Sequence, residues 1–298
     1  MSATVADRRR ADPDSGTTTT AVADPVQRPR SGAAGRRGLT RSAGLGLGVS
    51  VLWLSLLVLI PLASVVGSAL AGGPAKFWSA LTNAQTLNAI GLTVSVAVGV
   101  AVVNAIIGTV VAWVLVRDRF VGRAVLDVII DIPFALPTIV AGLVLLSLYG
   151  PRSPVGINIA NTQAAVALAV LFVTLPFVVR SVMPVLESLE HDVEEAASSL
   201  GASNWTVFWK LIFPSLIPAI ASGAALSFAR GISEYGSLVL LSGNMPNRTE
   251  VVSVRVLSYI ENGDLASAAA IATGMLVIAL AVLILIDLLQ RKAVRRDS

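Results

Sequence analysis

The sequence contains no cysteine and a single histidine, His191. No disulfide framework or thiolate metal centre can be built from it, and no pair of imidazoles exists for a histidine-based metal motif. Charge is scarce too: Asp, Glu, Lys and Arg make up 13% of the 298 residues, against roughly 25% in an ordinary soluble domain. With few aromatics, the aliphatic residues carry most of a 55% apolar fraction and a mean hydropathy of +0.79. A chain of that balance is solvated by lipid rather than water. Its lysines, Lys76, Lys210 and Lys292, do not follow the glycines of a Gly-x-x-x-x-Gly-Lys-Ser/Thr phosphate loop, so hydrolysis of ATP by that route is excluded. No metal, no catalytic residue and no nucleic-acid partner are expected.

What the sequence does contain is long apolar runs. Six lie near 45–70, 87–116, 125–149, 163–183, 214–242 and 265–289, each at or above the roughly 20 residues that cross a bilayer as a helix. Backbone groups cannot stay unpaired in hydrocarbon, and the runs lack the alternation of a membrane barrel. The expected fold is therefore an all-α integral membrane protein with six transmembrane helices over 44–290. Residues 1–43, with eight arginines against four aspartates among Pro, Gly and Thr, read as a disordered basic arm. Contact of this arm with anionic lipid, and a solvated tail that only helps set topology, both suit that composition. Residues 291–298 read as a tail. Of the 22 basic residues, 17 fall in the arm, the 117–123 turn, Arg180, Lys210 and the stretch after 290. Four fall on the other side, Lys76, Arg152, Arg248 and Arg255. By the positive-inside rule both termini are cytoplasmic.

The longest cytoplasmic connection then includes DVEEAASSLGASNWTVFWKLIFP, residues 192–214. Asp192 suits an N-cap, Glu195 would complete a capping box, and Gly201 suits the left-handed position that ends a short helix. Ser203 suits the cap of a second one. Val193, Ala196, Ala197 and Leu200 fall at i, i+3, i+4 and i+7, one narrow apolar face. That face packs either on the chain's own helix ends or into a groove on a soluble partner.

Glu195-Ala196-Ala197, Gly201 four positions later and Leu211-Ile212-Phe213-Pro214 resemble the EAA loop of binding-protein-dependent ABC importer permeases, with Leu211 in place of the usual isoleucine and Phe213 in place of leucine. The stretches DIPFALPTIVAGLVLLSLYG, LPFVVRSVMPVLESL and ALSFARGISEYGSLVLLSGNMPNRTEVVSV are similar to the T-type sulfate and thiosulfate branch of that family, and molybdate permeases share some of these pieces. The resemblance implies a type I importer permease (MetI-like) architecture in which residues 184–214 dock into an ATPase subunit. Asp192, Glu195, Ala196, Ala197, Leu200, Gly201 and Pro214 would carry the coupling. It implies as partners two ATP-binding subunits that hold ATP and Mg, a second homologous permease forming a heterodimer, and an external sulfate-binding protein, all at the cytoplasmic membrane with lipid around the spans.

Arg230 and Glu234 stand inside the fifth apolar run, where a central charge costs upwards of about 2.5 kcal/mol on insertion scales. Four apart on a helix, they can pair. An internal structural pair and a pathway role, Arg230 attracting an oxyanion and Glu234 tempering its hold, both account for them. Pro133 and Pro137 at the start of the third run free backbone carbonyls, as kinks or as part of a gate. Gly231 and Gly236 flank the charged turn and allow a close contact or a break. A membrane enzyme would need a nucleophile beside a base, which the lone histidine does not supply. A secondary carrier could also hold an Arg and a Glu at midplane, but it would leave the loop's spacing without a purpose.

Overall fold

The computed structural model describes residues 41–189 and 191–296, and regular structure within them is helical throughout. Two compact units are present, one ending at Leu52 and one running from Trp53 onward. The first contributes only the opening turns of α1 (Arg41–Leu54) to the described residues; the sites all lie in the second.

A π-helical turn at Ser55–Leu59 leads into α2 (Ile60–Ala71), where Pro61 has no N–H for the preceding turn and the wider winding absorbs the loss. Next come α3 (Gly73–Thr82) and α4 (Ala84–Arg117), the latter started by Asn83, whose side-chain oxygen accepts from the N–H groups of Gln85 and Thr86. After α5 (Arg123–Ala135) and α6 (Thr138–Tyr149), α7 (Gln163–Ser188) begins under a Thr162 cap. Two short helices, α8 (His191–Ser199) and α9 (Asn204–Val207), precede a second π turn, Phe208–Ile212, and α10 (Phe213–Ile232). The chain ends with α11 (Gly236–Leu241), α12 (Val252–Glu261) and α13 (Leu265–Arg296).

Among the described residues five helices are long and apolar enough to cross a bilayer, and α5 with α6, a pair bent by 117°, brings the number to six when counted as one span. The expected third span is therefore broken rather than straight. Leu136 precedes a proline and is driven to extended backbone, φ −84 and ψ 134, which stops α5. Pro137 then starts α6, its carbonyl accepting from Val140 and Ala141. Pro133 lies inside α5 and does not make the break. The expected fifth span, 214–242, also fails to run through: α10 ends at Ile232 and only the six-residue α11 follows. At the ends of the described residues, helix is already present at Arg41 and continues to Arg296. The basic arm up to residue 40 lies outside the described residues.

The core is a three-helix pack of α4, α7 and α10. Gly108 and Gly223 both face Val178, where an added Cβ would lie 2.8 Å from Val178 Cβ and Cα respectively; small residues set that spacing, as in membrane helix packing generally. Inside it Asn104 donates to the hydroxyls of Thr174 at 2.8 Å and Ser227 at 3.1 Å, tying all three helices through buried polar groups. α13 packs along α2, α3, α10 and α12. Outside the spans, Lys76 on α3 lies 2.7 Å from Asp264, ahead of α13. Lys76, and then Ser267 through its hydroxyl and N–H, hold the Asp264 carboxyl down to about 2 from its ordinary 3.8. The contact therefore contributes fully above the ordinary carboxylate value and is lost only as pH falls through about 2.

Candidate functional site

The expected site residues form two groups, one in the connection between α7 and α10 and one at the break after α10. In the first, α8 ends on Gly201, whose φ is +86. Its N–H bonds to the Ser198 carbonyl at 2.9 Å, and the Ala202 N–H reaches the Ala197 carbonyl at 3.1 Å. This is the double closure that a left-handed glycine makes at a helix end. Ser203 caps α9 by accepting the Thr206 N–H at 3.3 Å. The start of α8 differs from expectation: the helix opens at His191, so Asp192 stands inside its first turn rather than ahead of it. The side chains of Asp192, Val193 and Ala196 lie outside the described part of the structure.

The expected single apolar face of α8 is divided. Ala197 is half-buried against the chain's own core of Leu115, Leu186 and Val207, whereas Leu200 is 90% exposed because the chain turns at Gly201 and carries it off the helix. Glu195 is exposed as well. Pro214 is not part of this helix; it occupies the first turn of α10, after the Phe208–Ile212 π turn. What anchors α8 is a pair that sequence reasoning missed: the Arg117 guanidinium, at the end of α4, donates through both Nη atoms to the Glu194 carboxylate. The two side chains are only 12% and 19% exposed, and Arg117 also stacks over Trp113 at 5.5 Å. Ion pairs with that little solvent are worth more than surface pairs. Replacing Glu194 with Gln is expected to loosen the loop, so that limited proteolysis within 191–203 proceeds about ten-fold faster, the factor that roughly 1.5 kcal/mol of lost charged hydrogen bonding gives; the swap Arg117→Glu with Glu194→Arg is expected to recover most of the protection.

In the second group Arg230 and Glu234 do meet, at 2.8 Å between Nη2 and Oε2. They meet across a helix end, however, not along a continuous helix: Arg230 is in the last turn of α10 and Glu234 lies beyond it. A cation in the last turn of α10 complements the helix dipole. Glu234 has a side chain with no exposure, while that of Arg230 is 30% exposed. The other carboxylate oxygen, Oε1, accepts from both the N–H and the hydroxyl of Ser237 at 2.9 Å, starting α11, and the Glu234 carbonyl accepts from Ser253 at 2.8 Å. Among the described residues Oε2 has no other partner and no well-directed hydrogen bond, so its contact with Arg230 is ionic.

The two breaks touch each other. α6 lies on α11, and Gly236 approaches so closely that a Cβ there would be 2.1 Å from Thr138 Oγ1. From the other side, a Cβ on Gly142 would lie 2.7 Å from the Ser237 carbonyl oxygen. Pro137 thus sets the bend that brings Thr138 against the charged turn, while Pro133 stands one turn back in α5. Gly231 closes on Val170 in the same region.

Other polar groups were not singled out by sequence. Arg180 on α7 binds Asp131 through Nε at 2.9 Å and Nη2 at 2.6 Å, and Asp127 at 2.8 Å. Two aspartates four apart within an apolar run were the available signal, because a helix that carries acids into a bilayer must pair them. Glu250, buried beside α4, accepts from Gln85 at 2.6 Å and borders a polar cavity of about 290 Å³ that includes Asn88, Gln163 and Arg248. Asn244, in the loop after α11, closes that loop by donating to the Val239 carbonyl at 3.1 Å.

A family model described as binding-protein-dependent transport system inner membrane component matches residues 104–296. The sulfate transport system permease protein CysT of Escherichia coli (strain K12) is 39% identical over 259 residues, covering 85% of this chain and 94% of the relative. The protein of the same name from Synechocystis sp. is 40% identical over 250 residues, covering 82% and 87%. Among solved structures, a chain of a bacterial alginate ABC transporter in complex with an alginate pentasaccharide-bound periplasmic protein superposes with a TM-score of 0.70 over 84% of this chain and 94% of its own. At 14% identity that likeness concerns the fold alone.

Proposed function

This chain belongs to the family of binding-protein-dependent transport system inner membrane components, and from that premise we propose that it is the membrane-spanning permease subunit of an ATP-driven sulfate importer. The cargo is inferred from its relatives, which are named as sulfate transport permeases at 39% and 40% identity. The observation that carries the mechanism is α8 itself, a short helix clamped to the end of α4 through Arg117–Glu194 and presenting Leu200 outward beside Gly201.

In this reading ATP and Mg stay on two partner ATPase subunits, an external binding protein delivers the dianion, and a second homologous permease completes the path. Closure of the nucleotide-bound dimer carries α8, and Arg117 hands the displacement to α4, the central helix against which α7 and α10 pack. Because those helices are locked by glycine contacts and the Asn104 hydrogen bonds, they move as a body. Arg230 supplies positive potential to the path where the backbone is broken, and Glu234 limits how tightly the anion is held. No bond in the cargo changes, and the chemistry of ATP belongs to the partner.

Proteoliposomes holding the whole complex test this with labelled sulfate. Uptake is expected to require ATP on the ATPase side and to be competed by unlabelled sulfate and thiosulfate more strongly than by molybdate or tungstate. Uptake without ATP would make the chain a carrier, and stronger competition by molybdate would reassign the cargo. Reporter fusions are expected to place both termini in the cytoplasm, as the basic residues require.

A further inference from the structure

α5 meets the rest of its unit along one side, where Leu126 and Ile130 pack into the core beside Val178 and Val182 of α7. Its opposite side is apolar and open, with Val125, Val128 and Ile129 exposed. Next to the core-facing side runs a stripe of different character, Asp127, Asp131 and Phe134 at i, i+4 and i+7. The two carboxylates are 43% and 47% exposed although both contact Arg180. Phe134, one turn on, is half-exposed and meets Phe177 edge-on at 5.0 Å.

The charges on this stripe do not balance. Asp131 takes Arg180 in two hydrogen bonds, through Nε and Nη2. Asp127 keeps only an ionic contact, its Oδ1 lying 2.8 Å from Nη2 without a well-directed hydrogen bond. The remaining guanidinium nitrogen, Nη1, turns to the Met183 sulfur. Two acids thus share one cation. Arg123, a turn nearer the start of α5, is exposed and has no ion pair among the described residues. In the orientation proposed above that start is cytoplasmic, and Asp131 stands eight residues beyond it, about 12 Å along the helix at 1.5 Å per residue.

A carboxylate at that depth does not face acyl chains. Water is one alternative cover, but an exit lined with surplus negative charge repels the dianion that must leave through it. A second copy of this chain is another. Two copies related by an axis along the membrane normal face each other at equal depth, acid against acid. What balances the stripe is a different protein that brings a cation.

We propose that the Asp127–Asp131–Phe134 stripe of α5 is where the second, homologous permease docks, with an Arg or Lys of that subunit set against Asp127 in the inner part of the bilayer. The inference rests on the reading that a second permease completes the path, and it assigns the face through which it does so. Because α5 turns at Pro137 into α6, which lies on the charged turn, the partner's grip on α5 bears on the break.

The test uses the complete transporter complex, purified through a tag on this chain. With a benzophenone amino acid in place of Phe134, illumination is expected to give a covalent product with the second permease. Products with the ATPase subunit, with a second copy of this chain or with lipid alone would overturn the assignment. Asp127→Asn leaves Arg180 doubly bonded to Asp131, so the amount of this chain in the membrane is expected to stay unchanged. The second permease recovered per mole of this chain is expected to fall about ten-fold, the scale of one lost hydrogen bond between charged groups, and Asp127→Glu is expected to restore it. Undiminished recovery with Asp127→Asn would overturn the charge contact. If no second permease is recovered even with the parent chain, the underlying reading fails and the inference falls with it; recovery without the Phe134 product fails the inference alone.

Discussion

Arg230→Gln is expected to lower both the amount of folded chain and sulfate uptake, and adding Glu234→Gln is expected to restore the amount without restoring uptake. The reasoning starts from burial. Glu234 has no exposed side-chain surface, one of its oxygens is committed to Ser237, and among the described residues the other faces only Arg230. Removing the guanidinium leaves a buried carboxylate uncompensated, which costs about 3–5 kcal/mol in comparable pairs. Neutralising the acid as well removes that penalty, since an amide at 234 can still accept from Ser237. The positive potential at the break is not recovered by the double change. Membrane abundance and uptake per molecule therefore separate the two roles: uptake per molecule should stay at least about ten-fold down in the double variant, the effect of losing roughly 1.4 kcal/mol of charge stabilisation along the path. Full uptake by the double variant would leave the pair as internal structure only.

Gly201→Val is expected to remove uptake while the chain stays in the membrane at normal levels. An added Cβ at 201 meets nothing within 4 Å, so the effect is not a clash with neighbours but the φ of +86 that ends α8. Left-handed backbone costs an L-residue roughly 1–2 kcal/mol, and a β-branched one more. Within a short helix that displaces the seated population by about 5- to 30-fold. The substitutions should therefore rank by their tolerance of that region, with Asn retaining most uptake, Ala less and Val least. Because the helix lies outside the spans, insertion and abundance should not follow the same order, and immunodetection of membrane fractions beside the uptake assay checks this.

Much of the molecule could be read from residues alone where a local rule decides the outcome. The apolar runs gave the crossing helices because hydrocarbon leaves the backbone no alternative, and Gly201 and Ser203 acted as end and cap because their conformational preferences operate within one turn. Reading failed where the outcome depended on partners far along the chain. A run of apolar residues does not reveal that Pro137 will bend α5 and α6 apart by 117°, since its effect depends on whether α11 offers a surface to receive α6. Nor does an i, i+4 spacing reveal that the helix stops between Arg230 and Glu234, because the acid is drawn off to start α11 through Ser237. The apolar stripe of α8 was legible as a stripe, yet its division between an inward Ala197 and an outward Leu200 depends on how the loop lies against α4 and α7. Glu194 escaped notice for the same reason, as its partner Arg117 is 77 residues away.

Transmission of the ATPase stroke through α8 is the claim on which the account turns, and the absence of native cysteine makes it directly measurable. With Leu200→Cys as the sole thiol of this chain, in a complex whose ATPase subunit carries single cysteines lining its membrane-facing cleft, oxidation during ATP turnover should join the two subunits and stop uptake, and reduction should restore it. A thiol at position 200 that stays free in every such pairing, while sulfate is still being pumped at the parent rate, would contradict the account.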